Sequence, residues 1–423
     1  MKKEIVYIDD ISYEGAGVAR CDGKVVFVPK TLIGEKAEIN VIKENNAYSL
    51  GQVSKVLERS EKRIEPECQY FDVCGGCDFQ HCDRETEKEI KKNILKRELS
   101  KIGFEGDVDF VESDKRYGYR NKITMHVHEN KLGFFKPKSR DFFEVKTCPI
   151  ASENINKSFE KVQRFVSENN FLKINNVYFK EINNKIAICF LFGKHERKNN
   201  FLSRKLNNFE LLNNFIVYFA FGDVLESNET QIFMISDGKK LTKRIDNFDY
   251  EVDISAFNQV NDDVASKLYE HVVGLCKNKR VVNAYSGQGL LTYLISKHAR
   301  FVYGIEYQRS AHEKAEKLCS HVEGFKIQNV CGKVEDELKN VTLRDRIDAI
   351  VLDPAREGCK VDVLDEIVKS KIDDIIYVSC NFSTLTRDLK VLTKEYMVKN
   401  VKIFDMFPCC ATMETVVTLK RGR

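Results

Sequence analysis

The sequence of 423 residues predicts an α/β protein of three domains, the last of which is a Rossmann-like, doubly wound sheet. Three observations support this fold class. Strands and helices alternate over residues 251–423, short strands with turn glycines occupy residues 1–59, and residues 60–250 combine a charged helix with isolated apolar strands. The sequence therefore predicts an OB-like β-barrel, a central α+β domain and a C-terminal α/β domain, in that order.

Residues 1–59 have the pattern of a small closed barrel. Asp22 and Gly23 stand directly before the apolar run Val25–Val28, and this arrangement is a strong hairpin signal. Further turn glycines divide the other short strands, at Gly15, Gly17, Gly34 and Gly51. Since small barrels of this kind bind oligonucleotides, the segment is a candidate nucleic-acid platform.

Residues 60–250 predict the central α+β domain. From Thr86 to Lys101 the apolar residues recur at helical spacing, and the many charges indicate a solvated amphipathic helix, to which no site is assigned. Apolar runs from Ile186 to Phe192 and from Phe215 to Phe221 predict strands.

The charge of the chain is nearly balanced, with 68 basic and 64 acidic residues and a net charge of +4, so nucleic-acid binding must be argued locally. Between residues 115 and 140 the single acid Glu129 stands among eight basic residues, with four aromatic residues interleaved. Basic side chains neutralise phosphates and aromatic rings stack on unpaired bases, which favours looped or single-stranded RNA. A solvated hairpin explains the segment equally well. The candidate RNA contacts are Arg116, Arg120, Lys122, Phe134 and Lys136.

No apolar stretch approaches the roughly 18 residues that a membrane span requires, and no signal-peptide core follows Met1. The sequence thus predicts a cytoplasmic protein without a membrane partner. In a reducing compartment its 14 cysteines are not expected to form a disulfide framework, so clustered cysteines indicate metal binding or catalysis.

Three cysteines cluster on one short loop, where Cys68 precedes the segment Cys74-Gly75-Gly76-Cys77. A metal site with three thiolate ligands requires a fourth ligand. Cys148 is the preferred candidate because it follows the basic segment, and Cys82 is the alternative. The two glycines allow close approach of the backbone and favour an iron–sulfur cluster, while a tetrahedral zinc site remains possible.

A cofactor site is indicated in the C-terminal domain. The strand from Arg280 to Tyr285 turns into a helix through Gly287 and Gly289, and a second strand ends 17 residues later at Glu306 (306 − 289), where a ribose diol would be held. The segment has no third glycine and no phosphate-binding lysine, which favours S-adenosylmethionine over a dinucleotide. A third strand ends at Asp353.

Cys380 follows the apolar run from Ile375 to Val378, which predicts a buried strand. In an open α/β sheet, ligands bind beyond the carboxyl ends of the strands, so this thiol is expected to face the substrate. A packed, unreactive cysteine is the alternative from this segment alone.

In combination these segments resemble two known families. The first 59 residues resemble a TRAM domain, an RNA-binding barrel. The motifs of the rest of the chain resemble the RNA (uracil-5-)-methyltransferase family, and they are Phe257-Asn258-Gln259-Val260-Asn261, Tyr285-Ser286-Gly287-Gln288-Gly289, Asp353-Pro354-Ala355-Arg356, Ser379-Cys380-Asn381 and Asp405-Met406-Phe407-Pro408 with Met413-Glu414.

The resemblance implies roles for individual residues. Cys380 is implied as the nucleophile and Glu414 as the general base. The residues implied to contact S-adenosylmethionine are Gln259, Tyr285, Glu306 and Asp353. The implied ligands of a four-iron four-sulfur (4Fe-4S) cluster are Cys68, Cys74, Cys77 and Cys148.

The same resemblance implies the substrate. The expected reaction is methylation of uridine at carbon-5 in RNA, with 23S rRNA favoured because a TRAM-like barrel and a cluster accompany that subgroup. Transfer RNA is the alternative substrate, an impaired RNA-binding or ribosome-associated module is the alternative function, and no obligate protein partner is implied. Three residues depart from the family pattern, namely Asn283, Phe382 and Thr412, and the pair Cys409-Cys410 is interpreted as packed thiols.

Overall fold

The computed structural model describes residues 2–194, 200–222, 224–225, 230–236, 240–255, 258–322, 324 and 326–422. The chain forms two compact units. The first unit comprises Met1–Pro66, Cys77–Asp114 and Asp263–Arg423, and the second comprises Glu67–Gly76 and Lys115–Asp262. The predicted central domain, residues 60–250, is therefore divided differently in the structure, because residues 77–114 belong with the C-terminal domain.

The N-terminal strands of the first unit form one sheet in the order β1-β5-β6-β4-β3-β2. These strands are β1 (Lys3–Tyr7), β2 (Asp10–Ile11), β3 (Gly17–Cys21), β4 (Lys24–Val28), β5 (Lys36–Glu44) and β6 (Tyr48–Glu58). The two outer strands, β1 and β2, are separated by only Ile8 and Asp9, so the sheet must curl until its edges meet, as predicted for a barrel. The predicted hairpin is confirmed, since Asp22 and Gly23 both have the positive φ angles, 51° and 79°, of a tight β3–β4 turn.

Helix α1 (Arg84–Ser100) and strand β7 (Val108–Val111) follow in the first unit. The helix begins after Asp83, whose carboxylate accepts a hydrogen bond of 2.7 Å from the Thr86 amide. Its apolar stripe packs into the core as the spacing predicts. The interpretation of a fully solvated polar face is wrong, however, because Glu87 and Lys91 are buried as well.

The second unit contains a sheet in the order β10-β9-β8-β11-β12-β13-β14 and a separate hairpin, β15-β16. Its elements are β8 (Lys122–His128), β9 (Lys131–Phe135), β10 (Phe142–Glu144), α2 (Glu153–Glu168), a 3-10 turn (Asn170–Leu172), β11 (Ile174–Ile182), β12 (Lys185–Phe192), α3 (Asn200–Asn213), β13 (Ile216–Phe221), β14 (Gln231–Met234), β15 (Thr242–Ile245) and β16 (Phe248–Glu251). The two predicted apolar strands are confirmed as β12 and β13, which pair in parallel. Phenylalanines fill the core beneath them, among them Phe159, Phe179 and Phe190.

The rest of the first unit alternates helices and strands, as predicted. Its elements are α4 (Asp262–Leu275), β17 (Arg280–Ala284), α5 (Leu290–Ser296), β18 (Phe301–Glu306), α6 (Arg309–Cys319), β19 (Ile327–Cys331), α7 (Val334–Arg344), β20 (Ala349–Leu352), α8 (Val361–Lys369), β21 (Asp374–Ser379), α9 (Phe382–Leu392), β22 (Tyr396–Phe404) and β23 (Glu414–Arg421). The sheet order is β19-β18-β17-β20-β21-β23-β22-β7. Strands β17 to β21 are parallel, and β23 runs antiparallel beside β21.

Two features of this sheet determine where a ligand can bind. The strand order reverses between β17 and β20, and the crevice at such a switch point is where open α/β sheets hold their ligands. Strand β7 joins the far edge by pairing in parallel with β22, which explains why residues 77–114 belong to this unit.

Among the helices that the structure describes, none has both the length and the apolar character needed to cross a membrane.

Candidate active site

The predicted residues of the C-terminal domain gather at one edge of the sheet. Tyr285 follows β17, Glu306 ends β18, Asp353 follows β20 and Cys380 follows β21. Because these four strands are parallel and adjacent, their carboxyl ends lie along the same edge. The sequence spacing and the sheet topology therefore agree on the location of the site.

The turn after β17 has an unusual backbone. Tyr285, Gly287 and Gly289 have φ angles of 60°, 56° and 83°, in the left-handed region. A Cβ atom at Gly289 would lie 2.7 Å from the Ala315 Cβ, so glycine permits the close contact with α6. A Cβ atom at Gly287 would meet nothing within 4 Å, so that position faces open space.

Glu306 is fixed beside this turn. Its two carboxylate oxygens accept hydrogen bonds from the backbone amides of Gly287, at 2.9 Å, and Gln308, at 2.7 Å. Each oxygen retains acceptor capacity for a hydroxyl group. The Ser286 hydroxyl is buried and has no hydrogen-bond partner among the described residues. These unfilled hydrogen-bonding positions fit a nucleoside with a ribose diol.

Two further residues of the cofactor region have identified partners. The Tyr285 hydroxyl contacts the Cys359 thiol, and burial together with the Cys359 charge raises the pKa of Tyr285. Asn283, which departs from the family pattern, is buried and donates a hydrogen bond of 2.8 Å to the Thr292 hydroxyl. Asn283 thus secures β17 to α5 without a charge.

Gln259 belongs to the second unit. It is buried, and its carbonyl oxygen accepts a hydrogen bond of 3.0 Å from the Asn121 side chain. Its contact with the cofactor stays a prediction. Phe257, from the same motif, lies outside the described residues.

Cys380 occupies the short connection between β21 and α9. The next residue, Asn381, caps α9 through a hydrogen bond of 3.1 Å from the Ser383 amide to its side-chain oxygen. A thiol at this position lies near the positive end of a helix dipole, which favours the thiolate. The sequence prediction of an accessible strand-end thiol is consistent with the half-buried position of Cys380.

Arg356 contacts this thiol, and the sequence reasoning did not assign it a role. Its guanidinium lies near enough to the Cys380 sulfur to lower the pKa of the thiol. Its carbonyl oxygen accepts hydrogen bonds of 2.9 Å from Asn381 and 3.1 Å from the Thr384 hydroxyl. The segment after Asp353 is therefore tied to the start of α9. The signal in the sequence was the only cation of the Asp353–Arg356 motif.

Glu414 is the first residue of β23, where it pairs with Phe404 at the end of β22. The next residue, Thr415, pairs with Ser379 at the end of β21, immediately before Cys380. This register brings the carboxyl group of Glu414 and the thiol of Cys380 to the same place, with Glu414 almost fully buried. Residues 34 positions apart in the sequence (414 − 380) thus share one site.

The electrostatics of these groups are strongly coupled. Burial and the neighbouring Glu414 charge raise the pKa of Cys380, while Arg356 opposes the shift. Burial, and next the Asp353 charge, raises the pKa of Glu414 well above its ordinary value, and Arg356 again opposes the shift. Burial also raises the pKa of Asp353. Arg356 is therefore the cation that stabilises both the thiolate and the carboxylate.

The barrel contributes to the surroundings of the thiol within the same unit. Phe382, a departure from the family pattern, packs edge to face against Tyr13, with ring centroids 6.0 Å apart. A Cβ atom at Gly15 would lie 2.8 Å from the Ala411 Cβ, so the barrel loop also touches the segment before Glu414. Phe382 thus forms a contact between α9 and the barrel.

The predicted metal ligands fall into two groups. In the second unit, burial, and to a smaller extent the charges of Cys68 and Cys74, raise the pKa of Cys148 to about 11, so the three thiols are close enough to interact electrostatically. Gly75 is needed there because a Cβ atom would lie 2.6 Å from the Pro137 Cγ. Cys77 belongs to the first unit, where its thiol hydrogen-bonds with that of Cys410.

The alternative fourth ligand, Cys82, is also in the first unit. It is fully buried, and its thiol donates a hydrogen bond of 3.3 Å to the Phe79 carbonyl. Packing therefore accounts for Cys82, whereas Cys148 interacts electrostatically with Cys68 and Cys74. The pair Cys409-Cys410 is buried, as interpreted from the sequence.

The candidate RNA contacts differ in what their side chains do. Lys136 is exposed, with Asp141 3.6 Å away, and Arg116 lies over the Tyr117 ring. Arg120 donates a hydrogen bond of 3.1 Å to the Lys122 carbonyl, so its guanidinium helps to hold the backbone. Phe134 packs towards the core beside Phe143.

The opposite face of the β8–β10 hairpin has a second aromatic group, which was not predicted. Phe135 and Phe142 lie 5.8 Å apart between ring centroids, with His126 4.8 Å from Phe135 and His128 5.3 Å from Phe142. We call these four residues the hairpin aromatic patch. Their alternation with Phe134 and Phe143 along β9 and β10 was the available signal.

Comparisons with known proteins identify the family of this chain and of its N-terminal domain. The model of the family described as tRNA (Uracil-5-)-methyltransferase matches residues 83–422, and that of the TRAM domain matches residues 3–54. An uncharacterized RNA methyltransferase of Thermotoga maritima is 33% identical, covering 99% of both chains. Another from Fusobacterium nucleatum is 29% identical, covering 98% of this chain and 95% of the relative.

Among solved structures, the Pyrococcus abyssi tRNA (uracil-54, C5)-methyltransferase in complex with S-adenosyl-L-homocysteine superposes with a TM-score of 0.78. It is 22% identical and covers 98% of this chain and 99% of its own. Fold and site together define an S-adenosylmethionine-dependent RNA methyltransferase with an N-terminal TRAM domain. The chain belongs to the tRNA (uracil-5-)-methyltransferase family.

Proposed function

We propose that this enzyme methylates carbon-5 of a uridine in RNA through a covalent bond between Cys380 and carbon-6 of the base. The observation that carries the proposal is the convergence of a strand-end thiol, the Arg356 guanidinium and the buried Glu414 carboxyl at the sheet edge. In this proposal the thiol is the nucleophile, the guanidinium stabilises the thiolate, and the carboxylate is the base.

The chemistry requires covalent catalysis because carbon-5 of uracil is a poor nucleophile. Addition of the Cys380 thiolate to carbon-6 makes carbon-5 nucleophilic as an enolate. S-adenosylmethionine, when bound, supplies the sulfonium methyl group. Arg356 favours the attacking thiolate, because its positive charge opposes the rise in the thiol pKa that burial causes.

Product release requires a base. Once carbon-5 bears the methyl group, Glu414 removes the remaining carbon-5 proton and the Cys380–carbon-6 bond breaks. The raised pKa of Glu414 makes its carboxylate a stronger proton acceptor than an exposed carboxylate. The target base must also leave its stack to reach the thiol, which suits a uridine in a loop.

We propose that four groups of the first unit hold S-adenosylmethionine. Glu306 would accept the ribose hydroxyls, Gly287 leaves room beside the turn, and Asp353 and Tyr285 border the switch point. Gln259 is proposed as a further contact because the resemblance to the family implies it.

A trap experiment tests the mechanism. RNA carrying 5-fluorouridine has no proton that Glu414 can remove, so incubation with the enzyme and S-adenosylmethionine should leave a covalent protein–RNA band on a denaturing gel. The Cys380→Ala variant is the matched control and should give no band. Absence of the band with wild-type enzyme, on both ribosomal and transfer RNA, would favour the alternative of an RNA-binding module without activity.

For the substrate we propose 23S rRNA, because the sequence joins a TRAM domain to a cysteine loop, as in the ribosomal subgroup that it resembles. Transfer RNA is the second candidate, since the matching family model and the similar solved structure are both named for tRNA. Mapping 5-methyluridine in both RNAs from a deletion strain decides the question: loss from tRNA alone would exclude the ribosomal assignment.

For RNA binding in the second unit we propose the hairpin aromatic patch together with Arg116, Lys122 and Lys136. The patch offers ring faces for stacking, whereas Phe134 packs against the core. Phe142→Ala should weaken RNA binding by about ten-fold, by loss of roughly 1–3 kcal/mol of stacking. Phe134→Ala is the comparison, and it should lower thermal stability more than RNA affinity.

We propose that Cys68, Cys74, Cys77 and Cys148 hold a 4Fe-4S cluster. The proximity of Cys68, Cys74 and Cys148, and the close packing at Gly75, fit such a group. Anaerobically purified protein should be brown and contain about four iron and four sulfide per chain. Colourless protein with stoichiometric zinc would refute the cluster.

A further inference from the structure

Helix α1 contains a lysine with no exposed surface. The Lys91 ammonium donates hydrogen bonds to the Glu87 carboxylate at 2.7 Å, the Asp405 carboxylate at 2.8 Å and the Phe407 carbonyl at 3.1 Å. These three bonds use all of its donors. Two of the three acceptors lie in the 405–413 loop, which joins β22 to β23.

The same part of the chain holds the backbone of that loop. Glu87 accepts a hydrogen bond of 2.7 Å from the Cys409 amide, and the Cys409 carbonyl accepts bonds of 2.8 and 2.9 Å from the amides of Asp78 and Phe79. The Asp78 carboxylate accepts a further bond of 2.8 Å from the Ala411 amide. These contacts lie within the first unit.

Cys409 shows how strongly the loop is constrained. It is not glycine, yet its φ angle is 68°, a conformation that L-residues rarely adopt. Both of its backbone polar groups are bonded to residues outside the loop. A strained backbone of this kind persists where the surroundings over-determine it.

The constrained loop leads directly to the proposed base. Glu414 follows Met413, and it pairs with Phe404, the residue that precedes Asp405. The buried ions of α1 therefore bond to Asp405, Phe407 and Cys409 of one connection, whose last residue precedes Glu414. A shift of this loop would move the Glu414 carboxyl relative to Cys380.

Stability alone does not require charged groups here. Replacing a buried ion pair by apolar residues of similar volume is often neutral or stabilising, since burial of charge is costly. The charged groups instead provide directional hydrogen bonds, each of which fixes the position of a particular atom of the loop.

We propose that Lys91 and Glu87 are positioning residues for the proton-abstraction step, which they serve by holding the 405–413 loop so that Glu414 reaches carbon-5. The inference rests on the proposed function of Cys380 and Glu414. It predicts a selective defect, because the loop precedes Glu414 whereas Cys380, Arg356 and Asp353 lie on other segments of the sheet edge. Methyl transfer should survive and release should fail.

The test compares Glu87→Ala with Glu87→Gln. The amide oxygen of glutamine can still accept from Lys91 and Cys409, whereas alanine removes both bonds. With unmodified RNA and methyl-labelled S-adenosylmethionine, E87A should accumulate a labelled covalent protein–RNA complex and release product at least about ten-fold more slowly, since displacements of about 1 Å can cost about 100-fold in rate. E87Q should behave like wild type.

A matched control is Glu35→Ala in the barrel. Glu35 is also fully buried and forms an ion pair with Arg63, so its removal perturbs the fold without touching the 405–413 loop. E35A should not accumulate the covalent complex. Thermal unfolding of each variant reports folding, and if E87A does not fold, Glu87→Asp carries the test, because its carboxylate is one methylene farther from the Cys409 amide.

Two outcomes distinguish failure of the proposed function from failure of the proposed role of Glu87. If wild-type enzyme forms no adduct with 5-fluorouridine RNA, the proposed function itself falls. If wild type forms the adduct, but E87A or E87D slows complex formation and release equally, or E87A and E87Q are impaired alike, then Glu87 has no selective role in release and the inference is overturned.

Discussion

The two halves of the active site are built in different ways. The cofactor half is centred on one local arrangement, in which Glu306 accepts hydrogen bonds from the Gly287 amide, in the turn after β17, and from the Gln308 amide. The catalytic half brings together Cys380, Arg356 and Glu414 from three separate segments. The comparison shows that the proposed cofactor contacts depend mainly on a local motif, whereas the proposed nucleophile and base are brought together by long-range register.

The comparison predicts that catalysis can be abolished without loss of cofactor binding. Cys380→Ala should show this with the largest effect. Without a nucleophile, methylation should fall by at least about 1,000-fold, because covalent catalysis is lost. Binding of S-adenosylmethionine, measured by calorimetry, should be unchanged. A large loss of cofactor affinity would contradict the separation of the two halves.

Glu414→Gln should block the reaction at its last step. Without a base the turnover number should fall by about 100- to 10,000-fold. Unmodified RNA should then accumulate as a methylated covalent complex, visible on a denaturing gel. Normal turnover by this variant would dismiss Glu414 as the base, with Cys380→Ala serving as the control that forms no complex.

Arg356→Gln should change the pH dependence. Arg356 lowers the pKa of both Cys380 and Glu414, so its removal raises both values. Both groups act in their deprotonated forms, hence activity at neutral pH should fall by about ten-fold for each unit of pKa and recover as the pH rises. Rate profiles of variant and wild type that rise at the same pH would show that Arg356 does not tune these groups.

The smallest expected effect lies in the cofactor half. Glu306→Gln replaces one carboxylate oxygen by an amide group, so one backbone amide and part of the ribose contact lose their acceptor. Affinity for S-adenosylmethionine should fall by about ten-fold, at roughly 1–1.5 kcal/mol for a lost hydrogen bond. At saturating cofactor the yield of the 5-fluorouridine adduct should be unchanged. A reduced yield would mean that Glu306 also serves the catalytic half.

The cofactor half was accessible from the sequence because its signals are local. Two glycines at the end of an apolar strand, and an acid at the end of the next, predict a ligand at the sheet edge. The structure confirms the strands. It also shows that the two glycines have different surroundings, since a Cβ atom would face open space at Gly287 and would contact Ala315 at Gly289. This difference depends on the position of α6 and could not be obtained from the sequence of the turn alone.

Other features could not be predicted because they depend on pairings between distant segments. Helix α1 has the composition of a solvated helix, and only the approach of Asp405 and Phe407 explains why Lys91 is buried. The domain boundaries in the structure differ from the predicted ones for the same reason, since β7 pairs with β22, which lies near the other end of the chain.

The sequence by itself determined the α/β fold class, the strand-end positions of Cys380 and Asp353, and the family, because hydrophobic periodicity and short motifs are properties of neighbouring residues. Only the tertiary structure decided which groups meet. Sheet register places Glu414 beside the thiol, and the packing of α1 fixes the loop before it. The physical reason is that a buried charge is tolerated only where partners converge on it, and those partners come from distant parts of the chain.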